Sequence, residues 1–491
     1  MKHINIFLFV LLSAFVTSCT KSVTNPIDCN EYPKIYPDYV NVTIPQNIAP
    51  LNFMAAPSVD LLDVVIKGTK TTLHFQEDQA IEIPIKKWKN ILKENVGKSL
   101  TVSVCFYKNK QWKKYKDFVI HISGDTIDYG LVYRLIAPGY EVYSKMGIYQ
   151  RNLSNFDQTP IIENTLVTGS CVNCHAFKHN NPDCVSFHVR GEHGATVLQM
   201  NGPGSEKFMD TKTAKTISSC VYPYWHPDGR YIAYSNNGTK QAFHSVRNER
   251  IEVVDKESDI VVYDTKENKL LLCPRIMTKG AFETFPVFSA DGKKLYFCSA
   301  YAKKIPDQYK EIKYSLCSID FDAEHGTFGN KIDTLISAHS TGKSISFPRP
   351  SFDGKYLMFV MFDYGNFSIW HREADLYLLD LKTGKYRAMT EVNSNNTESF
   401  HDWSTNSRWF VFSSRRDDGL YTRLYIAHID ANGKASKPFM LPQRNPMQNV
   451  YNLFSYNVPE FIIRPVKINV KRTGSKLMDK KRDKFGYKEV K

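Results

Sequence analysis

Cys171-Val-Asn-Cys174-His175 is the stretch whose residue types and spacing can do chemistry. Two thiols three positions apart reach the two vinyl groups on one edge of a porphyrin and become thioethers. The imidazole that follows passes under the ring to the metal. Cys-x-x-Cys-His is the spacing of covalent c-type haem attachment, with Cys171 and Cys174 as thioether residues and His175 as axial iron ligand. With 10 Cys and 14 His in 491 residues, random placement gives roughly 0.006 such matches. Three other chemistries use paired cysteines. A redox pair belongs where a strand feeds a helix, which these flanks do not suggest. Zinc needs a fourth ligand and usually a second Cys/His pair, and none stands at the usual spacing. A disulfide across two residues is strained. The expectation is one covalent haem c.

A low-spin haem iron takes a second axial ligand, whereas a sensor or peroxidase leaves that position open. His188 is the first choice and Met200 the second. His179 and His193 are close in sequence, and His226 and His401 hold channel-entry places in later repeats. A lone histidine is more often a surface or packing residue.

Haem attachment of this type needs export, so the N-terminus bears on it. Lys2 and His3 precede an apolar run from Ile4 to Val16 that is too short for a permanent bilayer span. Val16-Thr-Ser-Cys19 resembles the lipobox of bacterial lipoproteins, which implies cleavage before Cys19 and lipidation of its thiol. The alternative is an ordinary secretory signal. On the lipoprotein reading residues 1–18 are a signal peptide and 19–38 a linker from the lipid anchor. Thr20-Lys-Ser-Val has no acidic surface-export run, so the expected place is the outer membrane, facing the periplasm. Seven further cysteines remain, an odd number, which excludes a complete disulfide framework.

The composition is 42% hydrophobic and 13% aromatic, enough for a large core. The net charge of +14 is concentrated in 86–116 and 467–491, which reads as solvated surface, and no nucleic-acid partner is expected.

The elements that must position the motif are strands. Residues 39–127 carry short alternating strands and one helix at 85–95, which suggests a small immunoglobulin-like β-sandwich. Residues 128–164 connect onward and offer strands to the next unit. From 165 to 470 the chain repeats itself. Tyr222-Pro-Tyr-Trp-His-Pro-Asp-Gly229, Phe285-Pro-Val-Phe-Ser-Ala-Asp-Gly292 and Phe347-Pro-Arg-Pro-Ser-Phe-Asp-Gly354 recur, with a degenerate copy at Phe400-His-Asp-Trp-Ser-Thr-Asn-Ser407. Each reads as a strand, a tight turn and a second strand, with two more strands following. Four strands at a period of roughly 50–60 residues are a β-propeller blade. These hairpins resemble the repeats of the TolB propeller family. The resemblance implies an all-β propeller that docks envelope proteins, and says little of activity.

Five blades are visible. A sixth is expected to close with 128–156 and 451–470. Aligning Cys174-His175 on Trp225-His226 puts Cys171 on Tyr222 and the haem motif in the first visible blade. Residues 471–491 read as a basic tail. No Gly-x-Ser-x-Gly elbow, phosphate loop or His-Glu-x-x-His helix occurs. The aromatic loop Tyr364–His371 and the charged loop Ser413–Gly419 read as inter-strand turns first, and as the lining of a binding face second. The function expected is a lipid-anchored monohaem cytochrome passing electrons to an envelope partner. The alternative is a non-catalytic binding scaffold in which haem is structural or a redox sensor, and a haem peroxidase is weaker.

Overall fold

Each Asp-Gly hairpin joins two strands because glycine takes the left-handed conformation that the turn requires, at φ of 81° for Gly229, 73° for Gly292 and 68° for Gly354. In the degenerate copy Ser407 adopts φ 56°. The computed structural model describes residues 21–137, 145–246 and 249–490. The signal-like segment and Cys19 lie outside the described residues.

Six four-stranded antiparallel units follow one another around an axis. Blade 1 is Cys171–Lys178, Asn181–Arg190, Ala195–Gln199 and Lys207–Met209. Blade 2 starts at Cys220–Trp225, blade 3 at Ala281–Phe288, blade 4 at Ser344–Pro350 and blade 5 at Glu398–Trp403. Blade 6 closes the ring. Its inner strand, Ser455–Ile462, comes from the end of the chain and pairs with Gly130–Ile136, beyond which lie Gly147–Asn152 and Gln158–Glu163. Arg151 in that blade donates to Gln443 Oε1 at 3.0 Å and to the Pro442 carbonyl at 2.7 Å, tying the early strands to the chain that leaves blade 5. The fold is an all-β six-bladed propeller.

Strand alternation explains the stacking of blades. On the strand Trp409–Ser414, Phe410 and Phe412 join one buried cluster with Met358 and Leu376 of blade 4, while Trp409 and Val411 join another on the opposite side. That second cluster belongs to the N-terminal unit. Ile44, Trp88, Leu100, Val102 and Ile122 pack there against Leu424, Ile426 and Phe439 of blade 5. The N-terminal strands form one hydrogen-bonded seven-stranded sheet through Ser99–Lys108, plus a two-stranded pair and the helix Ile85–Glu94, instead of two separate sheets.

Blade 2 has an extension that period-two patterning did not announce. Its second and third strands, Tyr231–Val246 and Glu249–Asp264, run for 16 residues each and project from the ring. The basic C-terminus is also built in. Val470–Met478 is a helix, and Gly486–Glu489 pairs in parallel with Lys269–Leu272 at the outer edge of blade 2. Arg472 Nε lies 3.0 Å from Glu206 Oε2, and Arg482 donates to the carbonyls of His193 and Gly194. The expected tail is a strap over blades 1 and 2. No helix among the described residues is long and apolar enough to cross a membrane.

Candidate cofactor site and channel

The inner strands share one irregularity. Each slips register by one residue against its neighbour, and the residue at the slip has positive φ: Cys174 (54°), Tyr222 (49°), Phe285 (50°), Phe347 (51°), Phe400 (50°) and Val458 (50°). A bulge of this kind re-aims a side chain, here toward the propeller axis. The rings of Tyr222 and Phe285 are 4.8 Å apart, Phe285 and Phe347 4.2 Å, Phe347 and Phe400 4.6 Å, and Tyr222 reaches Phe347 across the axis at 6.3 Å. Four aromatic rings from blades 2 to 5 thus plug the channel. Blades 1 and 6 contribute the small Cys174 and Val458.

This corrects the expected register. Cys174, not Cys171, stands in the place of Tyr222, and His175 takes the place held by Pro223, Pro286 and Pro348. Strand pairing fixes the match: Ala176 pairs with Ser186 and Phe177 with Val185 in blade 1 as Tyr224 pairs with Ala233 and Trp225 with Ile232 in blade 2, so Cys174-His175 corresponds to Tyr222-Pro223 and not to Trp225-His226.

Cys171 is half-buried at the start of its strand, opposite Arg190. Cys174 is buried, and burial pushes its thiol up against the opposing influence of Arg190 and Arg134. Neither thiol is in a disulfide. His175 is buried at the seam with blade 6, where its ring faces the backbone of Val458 and Val132. Burial and then the Arg134 charge lower its pKa to about 3. The ring is therefore neutral at pH 7, and its Nε2 has no hydrogen-bond partner. Two unbonded thiols, a neutral imidazole with one unpaired nitrogen and two arginines fit a covalent haem and its two carboxylate side chains.

The candidates for a second axial ligand are dispersed. His188 sits on the blade 2 side of the sheet with Ser186, its Nδ1 3.2 Å from Thr196 Oγ1, while His175 faces blade 6. The two rings lie on opposite faces of blade 1, so this backbone does not bring them to one iron. Met200 follows the strand Ala195–Gln199 at the far end of the blade from Cys171 and packs against the buried cluster shared with blade 2. His179 stacks edge-on against Phe352, His226 Nε2 meets the Gly292 carbonyl at 3.0 Å, and His401 Nε2 meets the Met358 carbonyl at 3.0 Å. These three are packing residues. His193 is at the Cys171 end, in a turn whose Gly191 abuts Gly169 and Ser170. Its Nδ1 is buried and unpartnered.

Two residues beyond the bulge, the channel becomes charged. Arg349 lies over the Tyr224 ring at 5.3 Å, Asp402 Oδ2 accepts from Phe461 N at 2.8 Å, and Glu460 Oε2 accepts from Phe177 N at 3.0 Å. Burial raises both carboxyl groups, each is raised further by nearby negative charge, and Arg349 opposes.

A cavity of about 790 Å³ opens on the face where the inner strands begin, between the blade 2 extension and blade 4. Glu252, His244, Tyr364, Trp370 and His371 are among its walls. Tyr364–His371, read from sequence as a turn, therefore lines a recess. Glu252 and His244 had no motif to reveal them.

No protein-family model and no curated protein matches the chain. Among solved structures it is similar to oligogalacturonate lyase from Vibrio parahaemolyticus, at 11% identity and TM-score 0.32 over 62% of this chain and 84% of that one. Prolyl oligopeptidase B from Galerina marginata matches at 11% identity and TM-score 0.33, over 62% and 44% of the two chains. A puromycin-hydrolyzing peptidase of Mycobacterium tuberculosis matches at 9% identity and TM-score 0.35, over 85% and 57%.

Proposed function

We propose that this six-bladed propeller is a lipid-anchored envelope protein that holds one covalent haem c and exchanges electrons with an envelope partner. Cys171 and Cys174 would hold the haem through their thiols, and His175 would ligate its iron. The observation that carries the reading is His175 Nε2, a buried ring nitrogen without a partner, beside two free thiols in the one blade whose channel residue is cysteine. When bound, such a group supplies a one-electron ferrous–ferric couple. The chain's own residues do the rest. The strand pairing of Cys171–Lys178 fixes the thiols, blade 6 shields the imidazole from water, and Arg134 and Arg190 supply positive charge for carboxylate groups at the channel mouth. Lipidation at Cys19 would tether the propeller to the outer membrane on its periplasmic side. Weak, small interfaces suit such electron-transfer encounters.

The test is the visible spectrum of the protein matured in an exporting host with a c-type cytochrome assembly system. A sharp reduced α-band, retained through a denaturing gel and lost in the Cys171→Ala, Cys174→Ala variant, is expected. A colourless protein from a host that matures other c-type cytochromes overturns the reading. The second reading, a binding scaffold, is favoured by the cavity beside blade 4. It expects the same double variant to fold and capture its envelope partner as the parent does.

A further inference from the structure

Glu252 is a carboxylate in an unusual setting. It is 8% exposed, and its one short hydrogen bond comes from the Tyr364 hydroxyl, 2.7 Å from Oε2. Two imidazoles aim Nε2 at it without closing on it, His244 at 3.5 Å from Oε2 and His371 at 3.9 Å from Oε1. Those separations are long for hydrogen bonds. The His244 separation is close to the spacing of two atoms bound to one ion, since ligand bonds of about 2.0–2.2 Å at tetrahedral angles leave the ligand atoms about 3.4 Å apart, and the His371 separation is wider.

The surroundings add a second feature of metal centres. His371 is 8% exposed and holds its other nitrogen, Nδ1, 3.2 Å from Glu373 Oε1. A carboxylate on the far nitrogen fixes the tautomer that leaves Nε2 free to ligate, and the Tyr364 hydroxyl orients Glu252 in the same way. The 790 Å³ cavity leaves room for water or a ligand at the remaining positions. No three histidine, cysteine or carboxylate groups among the described residues already converge on one point, so an ion has to draw the two rings inward. His244 stands near the end of the blade 2 extension, and its side chain is partly exposed.

We propose that Glu252, His244 and His371 bind one divalent transition-metal ion in this cavity, apart from the haem motif. The test is calorimetric titration of Zn²⁺ into the chelator-stripped mature protein, with metal content measured after dialysis. One equivalent per chain is expected, with affinity lowered at least tenfold in Glu252→Gln and in His371→Ala, and about tenfold in Glu373→Gln. The Cys171→Ala, Cys174→Ala variant must bind as the parent does, which separates this site from the thiols. Should His371→Ala fail to fold, His244→Ala at the partly exposed extension provides the same comparison, and Zn²⁺ should raise the melting temperature of the parent but not of that variant. No saturable binding at micromolar Zn²⁺, equal affinity in Glu252→Gln, or loss of binding with the two thiols overturns the proposal.

Discussion

Cys174 and Tyr222 occupy the same backbone position in neighbouring blades, each on a left-handed bulge with φ of 54° and 49°. Where five blades place Tyr, Phe or Val on the channel axis, blade 1 places a thiol. A non-glycine residue pays strain for that conformation, and the repeat tolerates it because the bulge turns the side chain into the channel. The same geometry separates the two cysteines of the motif. Cys171 stays at the partly open strand start, while Cys174 is enclosed.

That separation predicts unequal reactivity in protein made without haem. Cys174 is buried with its thiol pushed up, so little thiolate is present to react. Iodoacetamide labelling of the folded apoprotein at pH 8, read by peptide mass spectrometry, should modify Cys171 at least about tenfold faster than Cys174. Equal rates under native conditions would mean that the channel wall is not closed as described. If the proposed haem is attached, Cys174 would have to react before blades 1 and 6 come together, and refolded apoprotein should be a poor substrate for attachment.

Glu460 gives a pH dependence with a definite sign. Its pKa is raised in the folded protein, so the folded state keeps a proton that the unfolded chain releases from about pH 4 upward. The associated stability is present at low pH and is lost as pH rises. Glu460→Gln keeps an oxygen to accept from Phe177 N while removing the titration. Relative to the parent it should gain stability as pH rises from 5 to 8. Parallel denaturation midpoints for the two proteins across that range would exclude a buried, titrating carboxyl pair.

The blades were legible in the sequence because Asp-Gly turns demand a left-handed residue and the flanking strands alternate in apolar pairs. Closure was legible too, since a propeller must close its ring and 128–156 with 451–470 were the stretches left to do it; Gly130–Ile136 pairs there with Ser455–Ile462. The motif's register was not, because Cys174-His175 resembles Trp225-His226 in residue type, and only the bulge revealed by strand pairing matches it to Tyr222-Pro223. The blade 2 extension was missed because residues 237–250 are mostly polar and show no regular alternation, although Ile251 and Val254 are buried on its return strand. Glu252 and Tyr364 are 112 residues apart, and only closure of the ring brings them together. No local pattern encodes such a pair.

Gly292 is a sharp test of the hairpin repeat. Its φ is 73°, and a Cβ there would run into the His226 ring, which already contacts the Gly292 carbonyl. Gly292→Ala should therefore cost about 2 kcal/mol or more, beyond the roughly 1 kcal/mol of left-handed strain alone. His226→Ala should relieve part of that cost, so the double variant should be less destabilised than the sum. Strict additivity in urea denaturation would show that the clash is absent.

Trp409 tests whether the N-terminal unit and the propeller fold as one. Its ring is fully buried in the cluster that joins Ile44 and Ile122 to Leu424 and Ile426, and its Nε1 donates to the Asp125 carbonyl at 3.3 Å. Trp409→Ala removes a large aromatic side chain from that shared core and should cost about 3–5 kcal/mol. The loss falls on both sides of the junction, because neither unit can cover the cavity alone. The parent should melt in one transition, and the variant should show the N-terminal unit unfolding first, visible as a separate calorimetric peak. Two resolved transitions in the parent, or a cost below about 1 kcal/mol in the variant, would instead mark the N-terminal unit as an independent domain that merely rests on blade 5.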